Sequence, residues 1–302
     1  MTETVRVAVP RKGRPLEAVL EHLAERTGAA AVADDVISTL QYEKAVTKGS
    51  VDAPPDRDVY ERLADYSDLE DPLAPEFTLL RDDRAGAPRR IVLDSLTLRA
   101  PEADVDLQLV GREEPFRALR THSFALGFDS ADLVLEEVVE LREEGVAEIA
   151  AINERIDPME TDVRVVDGLG DTVHHTLLAT PETLGPGGTL DRSFVEAHEG
   201  PLCISPRYER LVEAVLGTRA LSDVSFVYPP TGVEEEAAVA DAGLGVYLTV
   251  TGSTAREHGL VVGERLFPSE TVLMENDAEI DGAAERARRL LGGADRETAI
   301  RA

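Results

Sequence analysis

The chain is short of several things at once. It has one cysteine, Cys203, in 302 residues. A lone thiol forms neither an internal disulfide nor a cysteine-based metal cluster. Set in the apolar segment Pro201-Leu202-Cys203-Ile204, it reads as a core residue. No apolar run approaches the roughly 20 residues that a membrane helix needs. No basic segment followed by an apolar stretch opens the chain, so no signal peptide is read and a cytoplasmic location is expected. No metal-ligand spacing, Ser-His-Asp signature or Walker loop is found. His174 and His175 fall within one strand pattern, so their rings point to opposite faces and cannot share a metal. His22, His122 and His198 have no partner nearby in sequence. No resident metal site is therefore expected. Lysine is nearly missing too, with three (Lys12, Lys44 and Lys48) against 28 arginines.

What is abundant is acid. Asp and Glu total 59 and the formal net charge is −28. Such a surface is highly soluble, and it suits a halophilic cytoplasm, where strong salt screens the self-repulsion. It also opposes binding to nucleic acid, whose phosphates it repels. A phosphate site in this chain has to be a local basic or amide-rich pocket in a negative field.

The length and a hydrophobic fraction of 43% suit about two globular domains. Val5, Val7 and Val9 alternate as a strand, and Leu16, Val19, Leu20 and Leu23 follow at helical spacing. Residues 49–89 are dominated by Asp, Pro and Arg and read as a surface insertion with one helix near 60–66. Strand patterns at 91–98, 105–110, 123–128, 163–167, 173–179, 224–227 and 246–250 are interleaved with helical ones. That alternation argues for parallel βαβ units. Ser205-Pro206 starts a helix with Tyr208, Leu211, Val212 and Val215 on its apolar face.

Three strand-to-helix turns hold the candidate site residues. Arg11, Lys12, Gly13 and Arg14 put three cations in four residues where the first strand ends. Arginine there offers a fork to phosphate or carboxylate, although a solvated turn has the same composition. Thr251, Gly252, Ser253 and Thr254 form a small hydroxyl-rich turn. Its free N–H groups suit an anion, and equally an ordinary helix cap. In Gly127-Phe128-Asp129-Ser130-Ala131-Asp132, the side chains of Asp129 and Asp132 could take hydroxyls or amines, and Ser130 reads as a cap.

The order of these pieces resembles the catalytic chain of the ATP phosphoribosyltransferase family. That family opens with a strand, a Pro-Lys-Gly-Arg loop and a helix, matched by Pro10-Arg11-Lys12-Gly13-Arg14. Its Asp-Leu-Gly-Ile-Thr-Gly-x-Asp turn has its place at Phe124–Asp132, and its Leu-Gly-Phe-Gly segment at Gly168-Leu169-Gly170-Asp171. Its Thr-Gly-x-Thr phosphate loop and following Asn-Gly-Leu fall on Thr251–Thr254 and His258-Gly259-Leu260. The resemblance covers most of 1–30 and 90–275.

The resemblance implies a two-lobed α/β chain, periplasmic-binding-protein-like (type II), with mixed sheets flanked by helices. Residues 1–179 with 246–302 would form one lobe and 180–245 the other. It implies a glycosyltransferase that joins ATP to phosphoribosyl pyrophosphate with Mg2+, the first step of histidine biosynthesis. No nucleic acid or membrane partner is implied, and a homo-oligomer is allowed. Thr251–Thr254 would hold the 5′-phosphate. Arg11, Lys12, Gly13, Arg14, Asp129 and Asp132 would face the nucleotide or the pyrophosphate. Aligned on Thr251-Gly252, however, two acids of the family's preceding strand fall on Gly243 and Tyr247, with Asp241 or Glu235 within reach of a shift. No residue is assigned as catalytic. The alternatives are an altered or inactive paralogue that binds a phosphorylated small molecule and regulates a partner, and a plain solute-binding module.

Overall fold

The alternating valines run as strand β1 (Glu3–Pro10) in a computed structural model that describes residues 2–54, 56–68, 70–81 and 89–292. Gly13, at φ +82°, turns the chain into helix α1 (Arg14–Thr27) with a proline in its first turn. Leu16, Val19, Leu20 and Leu23 are buried along one face of α1. Each such side chain contributes about 1.5–3 kcal/mol by leaving water. Helix α2 (Ala30–Thr47) buries Ala33, Val36, Leu40 and Glu43 at the same three- and four-residue spacing. Helix α3 (Val59–Asp65) starts on a reciprocal cap between Asp58 and Glu61. Strands β2 (Glu76–Arg81), β3 (Arg89–Ala100) and β4 (Val105–Arg112) pair antiparallel in turn, and β4 runs parallel to β1. Helix α4 (Pro115–Arg120) leads to β5 (Leu126–Ser130).

From Ser130 the chain builds a second compact unit, beginning with α5 (Ala131–Val138). It returns for β6 (Val163–Gly168) and leaves again for β7 (Val173–Ala179), α6 (Pro181–Leu184), α7 (Arg192–Glu196) and β8 (Gly200–Ile204). A single 3-10 turn at Pro206–Tyr208 precedes α8 (Glu209–Leu216). Then come β9 (Val224–Val227), α9 (Glu235–Ala242), β10 (Leu244–Thr249), α10 (Ser253–Glu257) and β11 (Val261–Ser269). The chain comes back a last time for β12 (Thr271–Asn276) and α11 (Gly282–Gly292).

The first unit thus takes the chain up to Asp129, Asp162–Leu169 and from Thr271 on; the second takes Ser130–Thr161 and Gly170–Glu270. Its seven-stranded sheet has the order β2-β3-β4-β1-β5-β12-β6, and the second unit's five-stranded sheet β11-β7-β10-β8-β9. The α/β class with mixed sheets and flanking helices is as expected. The parallel βαβ units read from the alternation are only part of each sheet: β7 pairs antiparallel with both β10 and β11, and β3 with both β2 and β4. The lobe division also differs from the one expected at 179/180 and 245/246. Those cuts would divide β7, β8 and β10, which are hydrogen-bonded neighbours in one sheet. Residues 49–89 are more than a surface excursion, because β2 supplies the edge strand of the larger sheet.

In the first unit, β1, β3, β4, α1, α2 and α11 share one apolar core. In the second, α9 and α10 cover Leu178, Cys203 and Tyr247 on one face of the sheet.

Candidate functional site

The basic turn of the first unit is built by β1 and α1. Arg11 Nε donates to the carbonyl of Gly111 at 3.0 Å, and Arg11 Nη2 stands 3.6 Å from Asp94. Lys12 Nζ pairs with Glu113 at 3.3 Å on the surface. A Cβ on Gly111 would lie 2.8 Å from Arg11 Cγ as well as against the Leu93 carbonyl, so glycine is what lets Arg11 lie across β4. Arg11 and Lys12 are therefore already matched to carboxylates. Asp129, at the end of β5, is 3% exposed and accepts the Phe116 N–H at 3.0 Å, which caps the first turn of α4. Its carboxylate is buried, with one oxygen engaged in this cap.

The other candidates lie in the second unit. Strands β8, β9 and β10 are parallel, so their carboxyl ends share one edge of the sheet. The amino end of antiparallel β7 reaches that edge, with His174 opposite Thr249 and His175 opposite Leu248. Ligands of open α/β sheets bind along such an edge. Thr251–Thr254 follow β10 there. Gly252 is buried with φ +70°, and an added Cβ would sit 2.9 Å from Val262 Cγ2. Thr251 Oγ1 accepts the Ser253 N–H at 3.3 Å and lies 3.0 Å from Ser253 Oγ, while Arg256 Nη1 donates to the Thr251 carbonyl at 2.9 Å. Thr251, Ser253 and Thr254 are exposed. Helix α10 has five residues. The partial charge at its start is correspondingly small, and the loop's capacity for an anion rests on its N–H groups, its hydroxyls and Arg256.

Gly243 and Tyr247 stand where two acids were expected. Gly243 ends α9 at φ +89°, and a Cβ there would lie 2.5 Å from Thr183 Oγ1. Tyr247 is 5% exposed, with its hydroxyl 3.8 Å from Cys203 Sγ beneath α9. Burial pushes both the Tyr247 phenol and the Cys203 thiol up in pKa. Cys203 is the inert core residue that the sequence suggested. Neither backbone position can deliver a carboxylate to the edge.

Sequence reasoning missed a buried carboxylate–histidine hydrogen bond on this edge. Asp132, in the first turn of α5, is 2% exposed. Its Oδ2 receives His175 Nε2 at 3.1 Å and Ser269 Oγ at 3.0 Å. Its Oδ1 is fully buried and has no hydrogen-bond partner among the described residues. Burial would raise this carboxyl, but the hydrogen bond and charge of His175, and then the hydrogen bond of Ser269, outweigh it and hold the pKa low. The ring of Tyr208 packs edge-on against His175, 5.0 Å between centroids. Burial, and then the charge of Asp132, pushes the Tyr208 phenol up to about 12. Asp132 and His175 are 43 residues apart, and only the β7–α5–β11 packing joins them. The sequence signal available was the run His174-His175-Thr176 inside a strand whose remaining residues are apolar.

The model of one protein family, described as halobacterial ATP phosphoribosyltransferase, matches residues 1–302. The chain belongs to that family. Among solved structures it is similar to an ATP phosphoribosyl transferase (HisG:HisZ) complex from Thermotoga maritima. The identity is 14% over 98% of this chain and 97% of that one, with a TM-score of 0.44. It is similar to YhfZ from Shigella flexneri at 12% identity, over 96% and 90% of the two chains, TM-score 0.41. It is similar to the ligand-binding component of an ABC-type import system from Staphylococcus aureus with zinc bound at 8%, over 95% and 71%, TM-score 0.36. No curated protein matches the chain. No helix among the described residues is long and apolar enough to cross a membrane.

Proposed function

We propose that the chain transfers the phosphoribosyl group of phosphoribosyl pyrophosphate to ATP and releases pyrophosphate, opening histidine biosynthesis in a saline cytoplasm. The full-length family match carries this reading. Nitrogen N1 of adenine would attack the anomeric carbon as the bond to pyrophosphate breaks. An oxocarbenium-like transition state of this kind needs placement and charge stabilisation more than a nucleophilic side chain. Thr251, Gly252, Ser253 and Thr254 would hold the 5′-phosphate on the carboxyl edge of the second unit. Arg11, Lys12, Gly13 and Arg14 would face the anionic groups of the nucleotide or the leaving pyrophosphate; Arg11 and Lys12 would exchange their present carboxylate partners for phosphate oxygens. Magnesium would enter with the pyrophosphate. The described residues bring no three metal-ligating side chains together, and Mg2+ is commonly held by substrate phosphates, waters and one or two carboxylates.

A second reading is favoured by Gly243 and Tyr247. A chain without the two strand acids can bind a phosphorylated small molecule and regulate a partner without turnover. One assay separates the two. The protein is incubated with ATP, phosphoribosyl pyrophosphate and Mg2+ in high salt, and phosphoribosyl-ATP is followed by absorbance. Turnover supports transfer. Saturable binding of phosphoribosyl pyrophosphate with no turnover supports the regulatory reading, and no binding at all sinks both.

Gly252→Asp is a poor probe of the loop, because φ +70° and the contact with Val262 strain any side chain there. Thr254→Asp is better. An acid in the first turn of α10 is neutral or favourable for a helix. An anion site would lose about tenfold or more in phosphate affinity, whereas a mere cap would be unaffected.

A further inference from the structure

Asp132 is the unusual group of the second unit. It is buried, and one of its two oxygens is unmatched. A buried acceptor left unpaired costs about 1–3 kcal/mol, more for a charged group. His175 and Ser269 hold the carboxylate by its other oxygen and so fix its orientation. Among the groups facing Asp132 is Tyr208, which is half-buried and ends the 3-10 turn after β8. Its ring is set on His175, and its neighbour Arg207 lies 5.7 Å from the ring centre. The register of β7 on β10 places His175 opposite Leu248, three residues before Thr251. The pair and the 251–254 loop therefore share one sheet edge in one unit. Strand β10 (Leu244–Thr249) carries no acid, Gly243 precedes it at its other end, and Tyr247 is buried beneath α9.

We propose that Tyr208 is a ligand-contacting residue of this site: its hydroxyl donates to the unmatched Oδ1 of Asp132 and its oxygen accepts a hydrogen bond from a sugar hydroxyl. Asp132 and His175 are then positioning residues that act through Tyr208. Asp132 does not touch the ligand itself, because it is 2% exposed. The arrangement offers hydroxyl recognition on an edge where β10 itself carries no acid. It deepens the phosphoribosyl reading and rests on it. A carboxylate that fixes the phenol proton leaves the oxygen lone pairs for a donor. A site built to pair with a hydroxyl also discriminates against the analogue that lacks it.

The test measures binding of ribose 5-phosphate, 2-deoxyribose 5-phosphate and inorganic phosphate by calorimetry in high salt. The proteins are the wild type, Tyr208→Phe, His175→Gln, His175→Leu and the double variant Tyr208→Phe/His175→Leu. Tyr208→Phe keeps the ring and removes only the hydroxyl. The expected result is a wild-type preference for ribose 5-phosphate of about tenfold, lost in Tyr208→Phe, with phosphate affinity unchanged. His175→Gln, whose amide can still donate to Asp132, retains the preference. His175→Leu loses it, and the double variant loses no more than either single one. Tyr208→Phe that folds and keeps the wild-type preference overturns the proposal. So does a wild type that binds phosphate but has no preference between the two sugars; the phosphoribosyl reading would survive that result. A wild type that binds neither sugar nor phosphate overturns both.

Discussion

At the scale of single residues, backbone conformation decides what chemistry a position can host. Gly243 closes α9 in the left-handed region with Thr183 packed over it. Restoring the acid there as Gly243→Asp is therefore expected to cost about 1–3 kcal/mol of stability and to add no activity. Urea denaturation and the phosphoribosyl-ATP assay check the two halves. How much of the site was legible also divides at this scale. Loops written in consecutive residues, such as Arg11–Arg14 and Thr251–Thr254, could be read, because a turn's chemistry is local. The Asp132–His175 pair could not, because its members meet only through sheet and helix packing. Tyr208 was misread as part of a helix's apolar stripe; the helix proper begins one residue later, at Glu209.

At the scale of elements, buried polar ties hold helices in place. Glu43 is 1% exposed and takes Arg62 through both oxygens, at 2.9 and 3.1 Å, and the Tyr66 hydroxyl at 2.9 Å. Glu43→Gln leaves Arg62 without its counter-charge and should cost about 3–5 kcal/mol. Replacing both partners with methionine should recover much of that loss, as read from denaturation midpoints. Helix α11 is tied differently. His22 Nε2 donates to the Leu291 carbonyl at 2.6 Å and Arg26 Nε to that of Leu290 at 2.9 Å, so α1 caps the end of α11. Burial holds the His22 imidazole below its ordinary 6.5, outweighing the carbonyl's opposite pull. The unfolded chain thus takes up a proton more readily than the folded one. The stability linked to neutral His22 is complete above pH 6.5 and shrinks as pH falls below it. Urea midpoints at pH 7.5 and 5.5 should fall further in the wild type than in His22→Gln.

Helix α2 and strands β2, β11 and β12 were not read from the sequence. Helix α2 begins on an alanine run whose buried face includes Glu43, so the hydrophobic stripe is broken by the residue that anchors α3. Strands β11 and β12 are nearly continuous in sequence, with the unit boundary between them at 270/271, and Pro268-Ser269 just before it are taken up in β11 rather than in a loop. Helices with an unbroken stripe, such as α1 and α8, were plain.

At the scale of the whole molecule, the charge of −28 sets the conditions of folding. Raising the ionic strength from 0.1 M to 1 M shortens the screening length from about 10 Å to about 3 Å. The thermal midpoint is expected to rise steeply with KCl over that range and to level off beyond it. A midpoint indifferent to salt would remove the link between this surface and saline conditions.

The chain passes between its two units four times, at 129/130, 161/162, 169/170 and 270/271. The strand that sits between β5 and β6 in the larger sheet is β12, drawn from the last stretch of sequence. Synthesis therefore delivers β5 and β6 long before the neighbour that joins them. Unit-by-unit folding on the ribosome is closed to this topology, because the first-made unit is the last to be completed. Late, non-local pairing of this kind slows folding and leaves strand edges open meanwhile. Those edges are open in a chain whose like charges keep its copies apart.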